Sequence, residues 1–131
     1  PDFYKVGVSA MLHDSRLAPA TMWGDKYEGI SGPVAGHQYP EDIAKNLRGK
    51  LFLTFGMREI VNPPALIFRL IKALQQANKD FELMLMPTSA HAVSGYEIRR
   101  AWDFLVKHLL AAEPPKEFKL LRATEVPSEA S

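Results

Sequence analysis

The sequence has no cysteine, which excludes disulfide bonds, thiolate metal sites and a cysteine nucleophile while leaving the compartment open. No apolar run approaches the roughly 20 residues that a membrane-crossing helix requires. Neither sign of charge dominates: 16 basic residues stand against 15 acidic ones, for a formal net charge of +1, and no basic or acidic block stands out. That balance gives no electrostatic basis for binding nucleic acid or an anionic membrane. Internal repeats and low-complexity tracts are absent, and no stretch reads as a signal peptide. The chain opens at Pro1 without a methionine, which reads as the start of a trimmed or cut product. A G-x-S-x-G nucleophile elbow is also missing.

What is present describes an α/β chain. The apolar fraction of 47% is enough for a core. Residues 3–11 (FYKVGVSAM) are rich in β-formers and predict a strand. A short helix is expected over residues 20–27, a Pro/Gly loop over 31–40 and another short helix over 41–47. Residues 50–55 (KLFLTF) form a near-continuous apolar run ended by Gly56, the pattern of a buried parallel strand. Asn62 suits a helix N-cap and Pro63 the first helical position, with Leu66, Leu70, Ile71 and Leu74 following at helical spacing to about Asn78. Residues 81–86 (FELMLM), including Met84 and Met86, predict a second buried strand. Residues 96–110 predict a helix whose core face is Ile98, Trp102, Leu105 and Leu109. Arg99 and Arg100 then fall on a solvated face. Pro114 and Pro115 end the packed region, which divides the chain into a domain over 1–115 and a polar tail over 116–131.

Strands alternating with helices imply a parallel sheet with helices on its faces. Two or three strands make a thin sheet, and buried-type strands call for neighbours this chain does not supply. The chain therefore reads as part of a larger domain.

In open α/β sheets the functional groups gather at the carboxyl ends of the strands. Two loops qualify: residues 56–62, which carry Glu59, and residues 88–94, which carry His91. Neighbouring parallel strands lie about 4.8 Å apart, so such loops can touch. An acid that orients a histidine makes two members of a nucleophile–base–acid triad, and acid before histidine is the α/β-hydrolase order. Ser9, in Gly7-Val8-Ser9-Ala10-Met11, comes nearest to the missing nucleophile. It lacks the second glycine and a long helix after it, and reads instead as a strand-end serine. His13 beside Asp14 reads as a loop-structuring pair, and His37 and His108 are assigned no site.

Taken together and in order, several segments resemble the C-terminal part of the catalytic domain of prolyl oligopeptidase-family serine peptidases, the dipeptidyl peptidase IV-like and acylaminoacyl peptidase-like branch in particular. They are PDFYKVGVS, HDSR with MWGDKYEGI downstream, GKLFLTFG, ALIFRLIKALQQANKDFELMLMP, the dipeptide AH, and RRAWDFLVKHLLAAEPP. The resemblance implies that His91 is the general base and Glu59 the triad acid, in the place of the family's aspartate. It implies that Trp23 and Tyr27 lie near the substrate pocket, although Trp23 serves equally well in packing. It also implies that the nucleophile elbow, the oxyanion hole and a β-propeller lie N-terminal to the residues present.

The chain departs from the family pattern at several positions. Ile60 and Val61 replace a second acid and an asparagine, Ala90 replaces a glycine, and Leu17 and Ala18 stand where many relatives have a tyrosine nearby.

The expected activity of the parent is peptide-bond hydrolysis, releasing dipeptides or acting as an acylaminoacyl peptidase, while this chain alone is expected to be inactive. Its partners would be a peptide substrate and the N-terminal part of the same protein, and a homo-oligomer of the parent is left open. The chemistry requires no cofactor and no metal. An esterase-type acyl hydrolase and a degenerate, non-catalytic hydrolase module are the alternatives.

Overall fold

The computed structural model describes residues 3–11 and 39–120. The elements are β1 (Val6–Ala10), α1 (Pro40–Ile43) continuing into a 3-10 turn (Ala44–Asn46), β2 (Lys50–Gly56), α2 (Pro64–Gln76), β3 (Glu82–Met86) and α3 (Gly95–Leu109). The strands form one sheet in the order β1-β2-β3, all parallel, with Val8 opposite Phe52 and Phe52 opposite Glu82. The expected α/β architecture is present. Strand β1 is shorter than the β-former run because Phe3 and Tyr4 lie exposed before it. The expected helix over 20–27, the His13–Asp14 pair, His37, Trp23 and Tyr27 lie outside the described residues.

Strand β2 is central and is buried from Phe52 to Gly56. Its alternate side chains serve two layers. Leu53 and Phe55 join Ile67, Leu70 and Leu74 of α2 and Ala44 of the 3-10 turn in one core cluster. Each such large apolar side chain contributes roughly 1.5–3 kcal/mol on burial. On the opposite face, Phe52 stacks on Phe104 of α3 with ring centroids 5.3 Å apart.

Helix α2 starts one residue later than its sequence suggests. Pro63 is the cap, with ψ 142°, and Pro64 takes the first turn. A residue that precedes proline is driven out of the α region, so Pro64 forces Pro63 to stay extended. Asn62 is not free to cap, because its backbone and side chain are committed to the site described below. At the other end, Asn78 adopts φ 52°. The amides of Asn78 and Lys79 return to the carbonyls of Gln75 and Leu74, at 3.0 and 2.9 Å. This is the Schellman arrangement, and it satisfies the last carbonyls of the helix.

Two burial expectations fail. Strand β3 is not buried: Leu83 and Leu85 are 38% and 39% exposed. They point to the α2 face, where register sets them beside Leu53 and Phe55, but the core under α2 is built on β2 and stops short of them. Trp102 is 54% exposed rather than core. Helix α3 turns Glu97, Phe104 and His108 to the sheet, where they meet Thr54, Phe52 and Glu82. The stripe through Trp102 and Leu109 is thereby carried round the side of the helix. Arg99 is correspondingly less solvated than expected. It lies over the Tyr96 ring at 5.4 Å and 3.7 Å from the Asp103 carboxylate.

The N-terminus of α3 is closed by a capping box. Ser94 Oγ accepts from the Glu97 amide at 3.1 Å, and the Glu97 carboxylate accepts from the Ser94 amide at 3.4 Å. Ser94→Ala is expected to lower stability by about 1 kcal/mol, read as a shift in denaturation midpoint at unchanged slope.

Candidate active site

The carboxyl ends of β2 and β3 are sewn together. Met57 donates its amide to the Met86 carbonyl at 2.9 Å, and Arg58 donates to the Ser89 carbonyl at 3.0 Å. The pairing of the two strands is thus continued past their ends into both loops. Gly56 makes the approach sterically feasible. A Cβ at that position would sit 2.5 Å from the Ser89 carbonyl oxygen and 2.7 Å from that of Ala90.

This stitching brings the acid and the histidine of the two loops into contact. His91 Nδ1 lies 2.6 Å from Glu59 Oε2. Glu59 is buried, whereas the His91 side chain is 48% exposed. The second carboxylate oxygen, Oε1, accepts from the Val61 amide at 2.6 Å and the Asn62 amide at 3.2 Å. Both oxygens of the carboxylate therefore meet donors, and Oε1 is held by its own loop. Asn62 extends the anchor by donating from Nδ2 to the Met11 carbonyl at 3.4 Å, past the end of β1. Met11 itself has φ 52° and donates its amide to the Thr54 carbonyl. For a residue other than glycine this conformation carries strain of order 1 kcal/mol, and it persists here because both its backbone groups are held.

Burial pushes the Glu59 carboxyl upward. The hydrogen bonds from His91 and from the Val61 and Asn62 amides, with the attraction of the imidazole, outweigh it and hold the carboxyl below its ordinary value of 4.5. A lowered carboxylate value means that the folded state binds the proton less readily than the unfolded chain. The resulting stability is present above the unfolded value and is lost as pH falls through the folded one. Thermal melts from neutral to acid pH should therefore show a steeper acid limb for the native chain than for Glu59→Gln. Parallel curves would remove the carboxylate from the account.

A carboxylate can only accept, so the donor to Glu59 is Nδ1–H, and in the neutral imidazole the lone pair is then on Nε2. A buried carboxylate paired with a half-exposed imidazole is an arrangement chemically able to serve as a general base. Ser9 is not placed as its proton source. It lies within the β1 ladder opposite Leu53, on the α2 side, and not at a strand-to-helix turn.

The fold is shared with solved structures. Acylaminoacyl peptidase from Pyrococcus horikoshii superposes over 92% of this chain with a TM-score of 0.67 and 20% identity. Dipeptidyl peptidase 4 from Porphyromonas gingivalis superposes over 80% with a TM-score of 0.60 and 22% identity. The described residues share the fold of these structures, a parallel three-stranded sheet with flanking helices of the α/β-hydrolase type. A protein of Klebsiella pneumoniae described as a dienelactone hydrolase also shares it, over 63% of this chain, with a TM-score of 0.51 and 18% identity. The chain spans 16% and 22% of the length of the two peptidases and 38% of that of the third protein. No family model and no curated protein matches the sequence.

The sequence points to Glu59 and His91 but not to the groups that hold them. Asn62 had been taken for a helix cap. Thr54 and Glu97, both buried, had drawn no comment. The Thr54 hydroxyl donates to the Glu97 carboxylate between β2 and α3. The spacing Ser94-x-x-Glu97 is a capping-box signature and would have marked that helix end.

Proposed function

We propose that this chain supplies the base and the acid of a serine-hydrolase triad whose nucleophile lies N-terminal to it, in a peptidase of the prolyl oligopeptidase type. The observation that carries the reading is the 2.6 Å contact between His91 Nδ1 and Glu59 Oε2 at the carboxyl ends of adjacent parallel strands. The likeness in fold to two peptidases, with the sequence resemblance along most of the chain, supports the substrate class.

In this mechanism the serine oxygen attacks the scissile carbonyl carbon while its proton passes to His91 Nε2. Glu59 stabilises the imidazolium that results and keeps Nδ1 protonated throughout. The same proton then goes to the leaving amine, the C–N bond breaks, and an acyl-enzyme forms. Water repeats the cycle, giving its proton to Nε2 and its oxygen to the acyl carbon, and the serine recovers the proton.

The test is fluorophosphonate labelling of the full-length protein followed by peptide mapping. A single labelled serine N-terminal to Pro1 is expected. Absence of any label in folded protein would sink the reading, and a label on Ser9 would move the nucleophile into this chain. A second reading, an esterase-type acyl hydrolase, is favoured by the exposed apolar side chains Ile60 and Val61 beside the acid and by the likeness to the dienelactone hydrolase. Turnover of aryl esters without turnover of peptide amides would select it.

A further inference from the structure

We propose that Glu97 is a positioning residue for His91, acting through the backbone of the histidine loop; its catalytic meaning rests on the hydrolase reading above. The loop that carries His91 is held at both ends. At its start, the Met86 and Ser89 carbonyls accept from the Met57 and Arg58 amides. At its finish, the Ser94 amide donates to Glu97 Oε2, and the other oxygen of that carboxylate accepts from the Thr54 hydroxyl on β2.

Glu97 and Thr54 are both buried, at 3% and 1% exposure. A carboxylate brought this far from water needs donors, and it finds them only by bridging the end of the histidine loop to the central strand. Thr54 is in turn tied through its carbonyl to Met11, whose own carbonyl accepts from Asn62 Nδ2, and the Asn62 amide donates to Glu59 itself. Thr54 and Glu97 therefore join the loop of the base to the strand that sets the acid. A capping residue alone would not need the second, strand-bound oxygen.

Release of the bridge should let the His91 loop drift and weaken the contact between Nδ1 and Glu59. The tautomer of His91 reports this directly. The Glu59 carboxylate selects Nδ1–H, and a histidine released from it gains Nε2–H. Imidazole nitrogen-15 shifts measured at alkaline pH on the full-length protein give the ratio of the two forms. Glu97→Gln and Thr54→Val are each expected to lower the Nδ1–H to Nε2–H ratio of His91 by about threefold to tenfold, the scale of one net hydrogen bond. Thr54→Ser, which retains the hydroxyl, should preserve it, and His108 at the far end of α3 should not respond.

An unchanged His91 ratio in variants that keep native sheet amide signals, with only the melting temperature lowered, overturns the proposal and leaves a structural tie. Where either variant fails to fold, Glu97→Asp decides by the same ratio, since its shorter side chain keeps the charge but cannot reach both the Ser94 amide and the Thr54 hydroxyl. The readout does not depend on catalysis. A full-length protein that takes no fluorophosphonate label would remove the triad reading without touching the tautomer result, and an unmoved tautomer would remove the positioning role without touching the label.

Discussion

His91→Ala in the full-length protein is expected to lower kcat by roughly 10^4- to 10^6-fold, with KM little changed. The reason is the division of labour between the two nitrogens. Nδ1 is bound to Glu59, so in the proposed mechanism Nε2 is the ring nitrogen left to take and return the nucleophile's proton. Glu59→Gln tests the other half. The amide can accept from the Val61 and Asn62 amides through its oxygen, but its NH2 then faces His91 Nδ1 and selects the opposite tautomer. A loss of about 10^4-fold in kcat follows from the wrong tautomer alone. Steady-state kinetics on a peptide substrate decides both. Near-native kcat in His91→Ala would discard the base assignment, while loss in His91→Ala with full activity in Glu59→Gln would discard only the acid.

Gly56→Ala is expected to be strongly damaging. Its Cβ would lie inside contact distance of two backbone carbonyl oxygens, Ser89 and Ala90, and backbone cannot move aside as a flexible side chain can. The histidine loop must be displaced, and with it the hydrogen bond from Arg58 to Ser89 and the alignment of His91 on Glu59. A destabilisation of about 3 kcal/mol is expected. Denaturant unfolding should register it as a lower midpoint, and activity should fall further than the folded fraction accounts for. The contrast with Ser94→Ala is informative, since that change removes a cap and leaves the two loops in register.

The acid and the base were legible in the sequence because their signal is local. Each follows an apolar run that can only be a strand, and each run is stopped by Gly56 or Pro87, so the loops and their titratable residues announce themselves. Side-chain direction was not local. The stripe Ile98, Trp102, Leu105 and Leu109 is a proper apolar face, yet Phe104 on Phe52 and Glu97 on Thr54 turn a different face to the sheet. A buried glutamate facing a strand reverses the usual inference from periodicity, because its partner lies 43 residues away in sequence. The start of α2 was misread for a simpler reason. Two consecutive prolines compete for the first turn, and only the second can win it, since the first must remain extended before the second. Leu83 and Leu85 read as core by composition, but what covers a strand is decided by where a helix lies, and α2 lies over β2.

The two amides that sew the loops together also determine how this end of the molecule comes apart. Met57 and Arg58 give their protons to carbonyls of the other loop, so neither loop can detach while its neighbour stays in place. In hydrogen-exchange terms, both loops should open as one cooperative unit with a common opening free energy. A substrate that gripped only one of them would, through those two protons, slow exchange in both.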